Sequence, residues 1–108
     1  MVMRRFRVPR QVTLDSTGYG EASIGPGTDT WQVELVTCST STNVSEPTFR
    51  LYADTVSPVN LLEGSYSGSQ DSSDSVHIVA PGQALIGTWT GGDPGAVATL
   101  LLSGSVVA

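Results

Sequence analysis

The stretch that decides the fold is WQVELVTC, residues 31–38, in which polar and apolar side chains alternate. An alternation with a period of two residues indicates a β-strand. The predicted faces are Trp31, Val33 and Leu35 on one side, and Val36 and Cys38 on the other. Because both faces hold large apolar residues, we expect this strand to lie in the core of the protein.

Segments on either side repeat this pattern. The further predicted strands are Thr17–Ile24, Thr48–Ala53, Val56–Leu62, Val76–Val79, Ala84–Thr90 and Ala96–Val107. No segment has a sustained apolar stripe of helical period, and 12 glycines and 6 prolines punctuate the chain. Seven to nine short strands at this spacing predict an all-β fold, either an antiparallel β-sandwich or a jelly-roll-like arrangement.

Two intervening segments are rich in residues that favour turns. SYSGSQDSSDS, residues 65–75, predicts a long surface loop, and Gly-Gly-Asp-Pro-Gly, residues 91–95, predicts a hairpin loop. The last predicted strand carries apolar residues on both faces. That pattern indicates either an interior strand covered on both sides or an edge strand covered by a neighbouring subunit.

Positive charge is concentrated at the N-terminal end of the chain. The arginines there are Arg4, Arg5, Arg7 and Arg10. Only Arg50 follows, there is no lysine, and all ten carboxylates come later, so residues 11–108 carry a net charge of about −9. The chain therefore divides into a basic arm or edge strand, residues 1–14, and a single β-sandwich domain, residues 15–108.

The charge pattern and the hydropathy argue against two classes of partner. Nucleic-acid binding depends on neutralisation of phosphates by Lys and Arg, which an acidic body does not provide. No apolar run approaches the roughly 20 residues that a membrane-spanning helix needs. We expect partners that are neither nucleic acid nor membrane.

The basic arm is the main candidate for a binding surface. A terminal strand rich in arginine frays unless a partner holds it, and the acidic body of a neighbouring copy offers carboxylates that guanidinium groups bind in a bidentate manner. The residues predicted to bind a partner are Arg4, Arg5, Phe6, Arg7, Val8 and Arg10, with Phe6 and Val8 as apolar anchors. In the alternative interpretation, residues 4–14 form the first strand of the protein's own sheet. The two arrangements are compatible with each other.

The sequence offers little for catalysis, and we expect no enzyme activity, catalytic residue or cofactor. His77 is the single histidine and is interpreted as a strand residue, since no motif designates a nucleophile for it. One histidine and one cysteine do not build a transition-metal site, so none is predicted. The run Asp71-Ser72-Ser73-Asp74 contains oxygen ligands suited to calcium, but it lacks the order of a calcium loop, and a solvated loop is the favoured interpretation.

The aromatic residues support one alternative function. Trp89 and Tyr66 are candidates for stacking on sugar rings, as in a carbohydrate-binding attachment module. For Trp89, a place in the core or at a subunit interface is favoured over sugar binding.

The segment PGQALIGTWTGGDPGAVATLLLSGSVV, residues 81–107, resembles the sheet modules of small accessory virion proteins of tailed bacteriophages. The composition, rich in Ala, Gly, Val, Thr and Ser and free of lysine, resembles that of proteins from GC-rich genomes, such as an actinobacterial phage. The resemblance implies a structural protein of the virion, assembled in the host cytoplasm, that forms homo-oligomers. Its implied role is capsid decoration or cement on the major capsid protein, with a tail or baseplate accessory bound to a tail protein as the alternative.

Overall fold

The computed structural model describes residues 4–107, except for the side chains of Ser65 and Tyr66. The described chain forms nine strands and one short 3₁₀ helix, Pro58–Asn60. The strands are β1 Arg4–Thr13, β2 Gly20–Ile24, β3 Thr30–Thr40, β4 Thr48–Ala53, β5 Leu61–Ser67, β6 Gln70–Ser73, β7 His77–Val79, β8 Leu85–Thr90 and β9 Val97–Val107.

These strands make two antiparallel sheets that pack face to face. Sheet A has the order β1-β9-β3-β6, with β7 pairing beside β6 on the same edge of β3. Sheet B has the order β2-β8-β4-β5. The predicted antiparallel β-sandwich is therefore confirmed, and β1 and β5 lie at opposite sides of it.

A β-bulge in β3 changes which of its residues are buried. The register with β9 shifts between Val33 and Leu35, so that Glu34 and Leu35 both point away from the core. Trp31, Val33, Val36 and Cys38 consequently share the buried face. The prediction that Leu35 shares a face with Trp31 was wrong, because a bulge inserts one residue and reverses the alternation beyond it.

Two predicted loops are also corrected. Part of the segment 65–75 is strand, because the end of β5 pairs with β4 and β6 pairs with β3. Residues 91–95 do form turns, but they join β8 of sheet B to β9 of sheet A rather than two strands of one hairpin. The predicted strand over residues 56–62 is a 3₁₀ turn that leads into β5.

The core lies between the two sheets. Its largest fully buried side chains include Trp89 and Phe49 of sheet B and Leu100 and Leu102 of sheet A. The rings of Phe49 and Trp89 meet edge to face, with centroids 5.0 Å apart. The central strand β9 is therefore covered on its inner face by sheet B, whereas the outer face of sheet A has no layer over it among the described residues.

Candidate partner-binding surfaces

Residues 4–13 of the basic arm form a regular strand of the protein's own sheet, and residues 1–3 lie outside the described part of the chain. The strand pairs with β9 in an unbroken register from Arg4 opposite Val106 to Thr13 opposite Val97. Phe6 stacks on Trp31 of β3, with ring centroids 4.2 Å apart and an interplanar angle of 13°. Because ten residues are paired and one ring is stacked, the arm is anchored to the body.

Apolar residues of the arm point inward. Phe6 and Val8, which were predicted to anchor a partner, are partly buried and pack against the core cluster of this chain. Their contacts within the fold account for their apolar character. The surface that β1 leaves for a partner consists of its arginines and its open edge.

Arg5 is held on the outer face of sheet A by a network that spans three strands. Its Nη1 donates to Oε1 of Glu34 on β3 and to Oγ of Ser105 on β9, both at 2.9 Å. The Ser105 hydroxyl in turn donates to Oε2 of Glu34 at 2.9 Å. These bonds, first that from Arg5, lower the pKa of the Glu34 carboxyl. The bulge places Glu34 beside Arg5, so the hydrogen-bond network links the bulge in β3 to strand β1.

The other arginines of the arm differ in their pairing. Arg4 lies 3.8 Å from Asp29 in an exposed ion pair. Arg7 and Arg10 are exposed, and within residues 4–107 neither is in an ion pair. Pro9 lies between them, which suits an edge strand because the open side of its backbone needs no ladder hydrogen bond. Two guanidinium groups on a rigid strand are thus available to an acidic partner.

The opposite side of the sandwich has a different character. Among the described residues nine large apolar side chains are exposed, and six of them lie within residues 56–62 and 76–78, which we call the apolar edge. The six are Val56, Val59, Leu61, Leu62, Val76 and Ile78. Single exposed apolar residues are ordinary, but a group of this size at the open edges of two sheets indicates a contact surface.

A cleft of about 280 Å³ opens within the apolar edge. Leu62, Val76 and Ile78 contribute to its walls together with Val79 and Leu85 from the core. Its size is just under the range typical of small-molecule sites, and it is large enough for side chains of a partner.

One polar contact joins the two sheets beside this cleft. Nε2 of His77 on β7 lies 2.5 Å from Oε2 of Glu63 on β5, and their side chains are only 14% and 11% exposed. The prediction that His77 is a strand residue is confirmed. Its position fixes the three-residue strand β7 against sheet B, and no triad surrounds it in the described part of the chain.

A second polar contact closes the same end of the sandwich. Asp54 has a positive φ of 64°, and its carboxylate accepts from the Ala84 amide at 3.0 Å and from Nε2 of Gln83 at 3.3 Å. Asp and Asn tolerate this left-handed conformation better than most residues. Asp54 therefore orders the turn before β8 and leaves a carboxylate at the exposed rim.

The two residues predicted to stack on sugars have different outcomes. Trp89 is fully buried between the sheets, so its ring faces are covered by the core and the sugar-stacking role predicted for it does not fit. The side chain of Tyr66 lies outside the described residues.

On the outer face of sheet B, the Tyr19 hydroxyl donates to Glu21 at 2.6 Å, and burial together with this hydrogen bond raises the pKa of Tyr19 to about 12.

The run predicted as a solvated loop or calcium site, residues 71–74, is mostly strand. Asp71, Ser72 and Ser73 belong to β6, and the Asp71 carboxylate accepts from the Ser72 amide at 2.8 Å. Within residues 4–107 no three His, Cys, Asp or Glu residues are grouped as a metal site requires. The same part of the chain contains no helix that is long and apolar enough to cross a membrane.

Sequence reasoning missed the apolar edge and the pair between His77 and Glu63. A signal was present, because Val76 and Ile78 interrupt a polar region and Leu61-Leu62 follows a turn. What the sequence lacked was the sheet order that brings these segments together.

No protein-family model matches this chain, and no curated protein was found to be similar to it.

Proposed function

We propose that this protein is a non-enzymatic structural protein of a virion, of the capsid decoration or cement type. It forms homo-oligomers and docks on the major capsid protein through β1. A tail or baseplate accessory bound to a tail protein is the alternative location. The resemblance of residues 81–107 to phage accessory modules supports the class, and the surface of β1 supports the mode of docking.

The observation that carries this proposal is the rigid basic strand β1. Its pairing with β9 and the stacking of Phe6 on Trp31 fix the backbone that carries Arg7 and Arg10 before any partner binds. A pre-organised surface loses little conformational entropy on binding, which favours affinity. Guanidinium groups suit carboxylates on a capsid surface because their planar fork forms paired hydrogen bonds.

Decoration of this kind acts by summation of weak contacts. A single docking surface of two free arginines is weak, since exposed ion pairs contribute about 0–1 kcal/mol each. Contacts between copies add to the contact with the shell, and the combined avidity exceeds each separate affinity. The proposed role therefore requires self-association as well as a basic docking strand.

A carbohydrate-binding attachment module is the second candidate function. The observation that favours it is the outer face of sheet B, where the Tyr19 hydroxyl is held by Glu21. Tyr52, half-buried on β4, contributes to the raised pKa of Tyr19. Binding of the purified protein to a glycan array would favour this function over decoration.

Particles from the phage or host that encodes the chain test the proposal. We expect antibodies against the protein to label purified particles on the capsid in electron micrographs. Particles stripped of the protein should rebind the wild-type chain and rebind the Arg7→Glu/Arg10→Glu variant poorly. Arg50→Glu is the control, since it reverses one positive charge on β4, away from the arm. Absence of label from head and tail would refute a virion role.

A further inference from the structure

The sandwich has two unlike sides. Strand β1 forms one side of sheet A and carries four arginines and no carboxylate. The apolar edge lies on the opposite side, where β5 and β7 end their sheets. We propose that copies of this chain associate head to tail, with the β1 side of one copy seated on the apolar edge of the next. This inference rests on the homo-oligomer of the proposed function and assigns its interface. Since β1 also docks on the capsid, each copy uses it either for a neighbour or for the shell, and the free β1 side at the end of a row makes the capsid contact.

The apolar edge has the properties of a surface that a partner covers. Val59 is 92% exposed, Ile78 62% and Val76 59%. Each such side chain gains roughly 25 cal/mol for every Å² of apolar surface that it loses to a partner. The edge is also a strand boundary, where unpaired backbone groups invite another chain unless charge or proline protects them. No proline or lysine lies in β5 or β7.

Charge identifies the partner that fits this edge. Asp54 lies at the rim of the cleft, where its carboxylate accepts hydrogen bonds from Gln83 and Ala84, and Asp74 is two residues before Val76 in the chain. The edge is therefore acidic as well as apolar, whereas β1 is basic. Complementary potentials of this kind favour association and determine its orientation.

The same charges argue against a symmetric dimer. Two apolar edges face to face would bring their carboxylates together, and two β1 sides would bring eight arginines together, since each has four. Like charges across an interface are unfavourable. Only the unlike pair combines burial of the apolar edge with attraction between charges. A head-to-tail contact of this kind grows as an open row when its rotation does not close a ring, and such a row leaves one β1 side free.

Two blocked variants test the interface. In the first, Arg7→Glu/Arg10→Glu reverses the free charges of the β1 side. In the second, Val76→Asp/Ile78→Asp places carboxylates on the apolar edge. We expect light scattering to show a wild-type oligomer and a monomer for each variant, with the apparent dissociation constant raised at least about tenfold. A 1:1 mixture of the two variants should form a dimer, because one copy keeps a working β1 side and the other a working apolar edge.

Matched controls separate the interface from general effects. Val44→Asp changes a side chain that is 95% exposed in the loop before β4 and should assemble like the wild type. Arg50→Glu makes the neighbourhood of β5 more acidic, because the Arg50 side chain lies against Gly64, and should assemble at least as tightly as the wild type. Thermal unfolding of every variant shows whether it is folded, and Val76→Asp alone replaces the double variant if strand β7 is disturbed.

Two outcomes overturn the inference. A wild type that stays monomeric at about 0.1 mM would do so, as would an arm variant that retains its oligomer. An oligomer that survives the arm variant but not the edge variant would instead mean a symmetric contact. The edge variant separates this inference from the proposed function, because it keeps the β1 arginines: it should be monomeric and still rebind stripped particles. A monomeric wild type that labels the capsid would overturn this inference and leave docking through β1 in place, whereas an oligomer that is absent from particles would refute the virion role alone.

Discussion

The stacking of Phe6 on Trp31 allows a direct test of whether the basic arm belongs to the fold. We expect Phe6→Ala to destabilise the protein by about 2–4 kcal/mol. Removing a fully buried Phe costs about 3–5 kcal/mol, and Phe6 is only partly buried, so roughly half of this applies. The lost aromatic pair adds about 0.5–1.5 kcal/mol, since the rings are stacked with centroids 4.2 Å apart.

Urea unfolding followed by tryptophan fluorescence and circular dichroism measures the loss in the free energy of unfolding. In thermal unfolding, the melting temperature should fall by about 10–20 °C, because about 1 kcal/mol shifts the melting temperature of a domain of this size by several degrees. Phe6→Leu keeps most of the apolar contact and should lose only about 1 kcal/mol. Arg7→Ala, on the outward face of the same strand, should lie within about 0.5 kcal/mol of the wild type. A loss below about 0.5 kcal/mol for Phe6→Ala would refute the packing of the arm against the core.

Three other properties of the structure can be tested in the same way. Gly104→Ala should destabilise by at least about 2 kcal/mol in thermal unfolding, because a Cβ there would lie 2.0 Å from the carbonyl oxygen of Gln32 beside the bulge; a neutral effect would mean that the bulge relaxes. Burial, with a smaller contribution from a nearby carboxylate, raises the pKa of Cys38 to about 12, so a thiol reagent at about pH 8 should react only after unfolding; rapid labelling of the folded protein would contradict this. Hydrogen bonds, first that from the Ser45 amide, lower the pKa of Asp93, so it stabilises the fold above its unfolded pKa and loses this effect as pH falls through the folded one. The free energy of unfolding of Asp93→Asn should therefore be lower than that of the wild type near pH 7 and close to it at about pH 2. A difference in unfolding free energy that does not depend on pH would argue against this role.

The alternation of polar and apolar residues was sufficient to predict the fold class and most strands. In the segment Thr48–Ala53, for example, Phe49 and Leu51 are buried as the pattern predicts, because burial of one face is a local property of a strand. The pattern failed at Leu35, where a bulge depends on the partner strand. It also failed over residues 70–73, whose backbone pairs with β3 although their side chains are typical of turns.

The candidate surfaces were predicted in part. The composition of the first ten residues indicated a basic element, and the structure shows how it is held: Arg5 lies in a network with Glu34 and Ser105, which come from two other strands. The apolar edge was not predicted, because its segments, residues 56–62 and 76–78, are separated in the chain and adjacent only through the packing of the sheets.

The sequence by itself determined the β class, the basic strand and the acidic body, since side-chain periodicity and charge are properties of consecutive residues. Only the tertiary structure decided that Trp89 is fully buried and that His77 pairs with Glu63 across the two sheets. It also decided that basic and apolar surfaces lie on opposite sides. The physical reason is that strand order and register arise from contacts between distant segments, whose free energies no single stretch of sequence contains.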